Sequence, residues 1–200
     1  MNDKTLENFR VDYVPSPRLQ YFTFGYRDLV ADLFWLRTIQ NFDYCDSVKL
    51  TNSDGLKICN ENSFLYRLLD LVTELSPNFR MPYASGGLAL SVIITDVSGA
   101  SHIFEKGTFN FPTDWPILYR SAYHAMIEEK NKKKAAYLLV EAARNGGPQW
   151  LYALSGKLFI EGGDLEMSLR LIDELNESAD GKDISERIRK KIESAGQIRR

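Results

Sequence analysis

A repeat constrains this chain more than any other feature of its sequence. Leu65, Ala100, Ala135 and Ser168 stand in one column at spacings of 35, 35 and 33 residues, and Leu69, Phe104, Leu139 and Ile172 follow in a second column at the same spacings. Val72, Gly107, Ala142 and Leu175 make a third. Most units thus offer a small residue, a large apolar residue four on, and often a small residue three further on. On a helix these positions share one face, because residues three and four apart are neighbours around it. Small residues at two points exclude bulk there, which suits the second helix of a tightly packed hairpin. Self-similarity at such a period marks an array of supersecondary units.

The first helix of each hairpin aligns as well. Tyr83, Tyr119 and Tyr152 form a column, as do Gly87, Tyr123 and Gly156, and Leu90, Met126 and Phe159. Gly163-Asp164 closes one inter-helix turn, and Lys130-Asn131 sits at the same place one unit earlier. Pro77, Pro112 and Pro148 end successive units, where proline cannot continue a helix. Ser91 to Ile94 is locally β-prone but lies between helical patterns, so no strand is predicted.

Upstream, Phe22, Tyr26, Leu29, Leu33 and Leu36 recur at three and four residues, ending at Ile39 or Gln40. Phe24, Val30, Phe34 and Trp35 widen that apolar surface beyond one stripe. A helix apolar on most sides must be covered by its neighbours, by another chain, or by the leader. The leader, DYVPSPR from Asp12 to Arg18, has two prolines two apart and reads as extended. Asp43 to Asn62 is mostly polar, with Asp54-Gly55 as a turn, and is the longest loop. At the other end Ile184, Ile188 and Ile192 are four apart amid charge, an amphipathic final helix suited to capping an array.

Composition excludes several function classes. Twenty-five basic and 27 acidic side chains give a net charge of -2, so no global basic field attracts nucleic acid. Lys130, Lys132, Lys133 and Lys134 are offset by Glu128 and Glu129 and read as a solvated turn. The tail from Gly181 to Arg200 has seven basic and three acidic residues but no interleaved aromatics for base stacking. No phosphate loop, dinucleotide fingerprint, zinc-protease motif or nucleophile elbow is present. His102 has no second ligand spaced to join it, and Asn52, Asp54 and Gly55 fit a plain turn better than a calcium loop. No enzyme activity, metal or cofactor is predicted. Cys45 and Cys59 read first as free thiols in a reducing cytoplasm, and second as a loop staple in an exported protein. MNDKTLENFR is not a signal peptide, and the apolar runs Leu29 to Leu36 and Leu88 to Ile94 fall short of the roughly 20 residues a membrane span needs. A soluble cytoplasmic protein is expected, or a periplasmic one if a natural N-terminal signal or anchor is missing.

The columns resemble the tetratricopeptide repeat (TPR) family, with its Trp…Leu-Gly…Tyr first helix, then Ala…Phe…Ala, then Pro. Tyr152, Gly156, Phe159, Gly163-Asp164 and Ile172 carry the likeness in the last unit. Ala135, Leu139, Ala142 and Pro148 carry it in the one before, and Ala100, Phe104, Gly107 and Pro112 in the one before that. Tyr123 departs from the family's glycine, Leu65 and Val72 from its alanines, and the loop from Asp43 has no family counterpart. The aromatic first helix looks like that of bacterial TPR-like proteins. The resemblance implies an all-α, right-handed superhelical solenoid of helix-turn-helix units. These are a leader over 1–18, repeats over 19–181 (19–78 degenerate, then 79–113, 114–148 and 149–181), and a capping helix over 182–200.

It also implies a non-enzymatic interaction module that holds a peptide or helix along the first helices. By alignment the groove lining is Leu88 and Ser91, then Arg120, His124 and Ile127, then Trp150, Ala153, Lys157 and Ile160. Arg120 with Lys157 suits a carboxylate; Trp150 and Ile127 suit an apolar anchor. The carboxylate clamp of some family members is not matched, since Ala153 and Leu154 stand at its positions. The first alternative is a homo-oligomer, in which the leader residues Tyr13, Val14, Pro15 and Pro17 dock into this groove or a neighbour's, or the aromatic first helix mediates contact; an enzyme or a nucleic-acid binder is the alternative of another class.

Overall fold

A computed structural model describes residues 14–40, 63–177 and 181–194. Every regular element among the described residues is helical. The chain divides into two compact units, Met1–Ile103 and Phe104–Arg200, with the boundary inside one helix. Tyr13, Cys45, Cys59 and the whole 43–62 loop lie outside the described residues.

In the first unit, Val14 to Ser16 is non-helical and Pro17–Phe22 is a 3-10 helix, so the extended leader ends two residues earlier than predicted. Ser16 caps that helix through Arg18 N–H, and proline at the first helical position has its φ already set. Helix α1 (Arg27–Gln40) packs on α2 (Phe64–Leu75). Ala31 of α1 is buried with Leu71, Val72 and Leu75, and Val14, Val30, Phe34, Trp35 and Phe79 close over them. Next comes α3 (Gly87–Ala89), flanked by two π-helical turns, Pro82–Gly86 and Leu90–Ile94. Here Gly86 lies against Leu69 of α2, whose Cδ2 a side chain at Gly86 would overlap. The β-prone Ser91 to Ile94 is thus wound as helix. Tyr83 is fully buried, and its hydroxyl donates to Pro77 O at 3.0 Å. Burial, with the charge of Glu74 behind it, pushes this phenol up to about 12.

Helix α4 (Val97–Asn110) contains the unit boundary. The second unit continues with α5 (Trp115–Ile127), α6 (Lys132–Arg144), α7 (Trp150–Glu161), α8 (Leu165–Glu177) and α9 (Lys182–Ser194). Helix α6 packs on both α5 and α7, and α9 on both α7 and α8. One apolar core joins Ala135, Leu139 and Ala142 of α6 to Leu151 and Phe159 of α7, Ile172 and Leu175 of α8, and Ile188 and Ile192 of α9. Where Gly156 faces α9, an added Cβ would sit 2.6 Å from Ile188 Cδ1, so glycine sets the helix separation. Tyr123, at the same place in its column, stays exposed. Ser168 Oγ, in the small-residue column, is buried without a hydrogen bond among the described residues.

The turns before α4, before α6 and before α8 repeat a single device. Thr95 (φ 59°), Lys130 (φ 54°) and Gly163 (φ 74°) each adopt the left-handed conformation. The following residues, Asp96, Asn131 and Asp164, then accept from the N–H three ahead: Gly99 at 3.0 Å, Lys134 at 3.0 Å and Met167 at 3.4 Å. A left-handed residue ends the first helix and an Asx cap starts the second, satisfying orphan backbone groups on both sides. Asp96 does more. It is fully buried, and its other oxygen accepts from Ser63 Oγ at 2.6 Å, while Ser63 Oγ caps α2 at Tyr66 N–H. One carboxylate thereby locks the starts of two helices. Gly99 is required there, since a Cβ would come 2.8 Å from Asp96 Cγ.

Candidate functional site

In the second unit the aligned lining residues separate into an exposed and a buried set. Trp150 opens α7 with 51% of its surface exposed, and its ring meets Tyr119 of α5 edge-on at a centroid distance of 5.8 Å. Ile127 and Lys157 are exposed, and Arg120 and Ala153 half-buried. His124, by contrast, is 2% exposed, packed against the Phe104 ring, with Nε2 3.8 Å from Glu129 Oε1. Ile160 is buried in the core with Phe159. Neither offers surface to a ligand. One residue along a helix rotates a side chain by about 100°, which is enough to carry it from face to interior.

Ion pairs modify the charged members. Lys157 Nζ lies 3.5 Å from Glu161 Oε1, and Lys132 Nζ donates to Glu161 Oε2 at 2.8 Å. The Lys132 hydrogen bond holds the Glu161 carboxyl below its ordinary range. Lys134 bonds Glu129 at 2.9 Å and Glu105 at 3.1 Å, and Lys133 lies 3.8 Å from Asp164. Burial alone would lower the Lys134 ammonium; its two glutamate hydrogen bonds outweigh that and raise it. The lysine-rich turn is therefore largely neutralised by its own unit. Across the second helices, Arg144 donates to Glu174 at 2.8 Å and to Glu141 at 2.6 Å; the Arg144 bond holds the Glu174 carboxyl low.

In the first unit Leu88 is exposed and Ser91 buried. The sequence reading missed a cleft of about 350 Å3 there, lined mainly by Trp35 and Ile39 of α1, Leu65 of α2, and Met81, Ser85 and Ala89. Its walls are apolar, and the second is the π-wound segment; such turns recur at functional sites. The only forewarning in the sequence was the excess of apolar residues on α1. Of the leader residues, Val14 is part-buried against its own α1–α2 core, Pro15 is half-buried, and Pro17 begins the 3-10 helix.

Exposed large apolar side chains are unevenly shared among helices. Leu29, Leu33, Leu36 and Ile39 are on α1; Met81, Leu88, Val92 and Ile93 are on the α3 segment; Tyr123 and Ile127 are on α5, and Trp150 on α7. Helix α2 has none, and α4, α6 and α8 have one each: Phe109, Tyr137 and Leu169. Among the described residues no group of His, Cys, Asp or Glu side chains is arranged to hold a metal ion, and no helix is long and apolar enough to cross a membrane. No protein-family profile, no curated protein and no solved structure matches the chain.

Proposed function

We propose that this protein is a non-enzymatic interaction module, a TPR-like solenoid that holds a peptide or helix along the first helices of its hairpins. The observation that carries this reading is the uneven sharing of exposed apolar side chains, concentrated on α1, the α3 segment and α5, with Trp150 of α7 the one large aromatic added to them. Within a unit, several large apolar side chains exposed on one element mark an interaction site, whereas scattered single residues do not. Trp150, braced by Tyr119, is a rigid aromatic anchor of the type that dominates interface energetics. Arg120 supplies a guanidinium for an acidic group, with Lys157 partly engaged by Glu161.

The test is a peptide-display selection against the full chain, followed by calorimetric titration of the winners. The expected result is a shared motif combining an apolar residue with an acidic one. Its affinity should fall at least about tenfold with Trp150→Ala, and less with Arg120→Ala. Selected peptides that bind Trp150→Ala as tightly as the parent overturn the placement of the site. A selection that enriches no motif overturns the reading.

A further inference from the structure

Helix α1 carries two apolar faces, and its own unit uses one. Ala31 and Thr38 are buried, with Phe34 and Trp35 beside them toward α2. On the opposite side, Tyr26, Leu29, Leu33 and Leu36 remain 67, 57, 59 and 49% exposed. Their spacing alternates strictly between three and four residues and continues to Gln40, the last residue of the helix. That alternation averages 3.5 residues, the period of a seam that stays in contact with a second helix, rather than the 3.6 of a helix lying on a flat surface. Tyr26, Leu33 and Gln40 then take one core position of the heptad and Leu29 and Leu36 the other.

We propose that this seam pairs with the α1 helix of a second copy of the chain, in parallel, around a twofold axis. Charge at the flanks selects this occupant and this direction. The position before Leu33 is Asp32, and the position after Leu36 is Arg37, five residues on. In a parallel pair these two flanking positions face each other across the seam, so Asp32 of each copy meets Arg37 of the other, twice by symmetry. An antiparallel pair brings neither charge opposite its complement. Arg37 already stacks over the Phe64 ring at 5.3 Å, which holds its planar guanidinium against the start of α2. Gln40, polar at a core position, meets its own copy across the axis and fixes register. Two heptads are too short to associate as free peptides. In this protein α1 is already held by α2, so pairing does not have to order the helix.

The measurement is solution mass by light scattering, on the full chain over a wide concentration range. The mass is expected to rise from 22.9 kDa toward twice that value. Leu33→Glu, at an exposed position, should abolish the rise while leaving the thermal melt of the dilute monomer unchanged. Asp32→Arg and Arg37→Asp should each weaken association by up to about fivefold, and a mixture of the two should recover it, because the substituted charges then complement across the pair. A 22.9 kDa monomer up to about 1 mM overturns the proposal; binding of that monomer to lipid vesicles would assign the stripe to a membrane surface instead. Association that survives Leu33→Glu overturns the seam, and a mixture no better than its parts overturns the parallel arrangement. The proposal does not rest on the peptide groove, and Trp150→Ala should leave the mass unaltered.

Discussion

Helices α1 and α9 are nearly equal in length and differ in what they leave outside. Helix α9 turns Ile188 and Ile192 into the core of its unit and exposes Lys182, Asp183, Glu186, Arg187, Arg189 and Lys190. Its apolar stripe is spent inside and its outer face is charged. Helix α1 also buries one face, yet exposes a second apolar stripe from Tyr26 to Leu36. The comparison separates two kinds of helix. One closes a core, and the other closes a core while presenting a surface that water does not favour.

The sharpest way to break this contrast is one matched pair of truncations. Ile188→Ala should cost about 3 kcal/mol, since the side chain is buried against Gly156 and its loss leaves a cavity. Leu33→Ala should cost less than about 0.5 kcal/mol in the dilute monomer. Equal losses in denaturant unfolding would show that α1 is covered on both sides. Next in size, Ala135→Leu should overpack the α6 interior and lower stability by about 2 kcal/mol; an unchanged melting temperature would refute the tight packing of that column.

The hairpin turns sharpen the comparison between units. Thr95 is β-branched and left-handed where the second unit has Gly163. Thr95→Gly should stabilise the chain by about 1 kcal/mol, whereas Gly163→Thr should destabilise it; the same sign for both in chemical unfolding would refute the shared turn.

Two titrations follow, of smaller effect. The Tyr83 phenol is raised in the fold, so its contribution is fully present below about 10 and is lost as pH rises through about 12. Tyr83→Phe should remove that alkaline step and cost about 1 kcal/mol at neutral pH, by leaving Pro77 O without its donor. Glu174 has the opposite sign. Its carboxyl is depressed, so its contribution is present above the ordinary carboxylate value and is lost as pH falls through the folded one. The pair with Arg144 is substantially exposed, so solvent screening keeps the effect below about 1 kcal/mol. Glu174→Gln should flatten the acid limb of a melting-temperature profile, and an unaltered limb would remove this pair from the acid response.

The residues that could be read in advance are those whose role is local. The columns through Ala100, Ala135 and Ala142 are buried because small residues at helical spacing admit a close neighbour wherever that neighbour stands. The Asx caps follow from chemistry within four residues, and Gly163-Asp164 and Lys130-Asn131 announce them. Thr95-Asp96 did not, because threonine is a poor signal for a left-handed turn and Asp96 owes its burial to Ser63, 33 residues away. The site was legible only in part. Of the aligned lining residues Leu88, Ile127, Trp150 and Lys157 are exposed, whereas Ser91, His124 and Ile160 lie inside, because one step along a helix turns a side chain from surface to core.

The amino-acid sequence by itself determined that this chain is helical, where the helices on either side of Lys130-Asn131 and Gly163-Asp164 turn, and which residues are too small to separate them. Those properties depend on backbone preference and side-chain volume, which act over a few residues. Only the tertiary structure decided which face of α1 is used. Both faces are apolar at helical spacing, and the face with Ala31 lies inward because a small residue there lets the helix approach α2 closely enough for Phe34 and Trp35 to reach the core. The leucine stripe is left outside as a consequence, since one helix cannot turn opposite sides to the same neighbour.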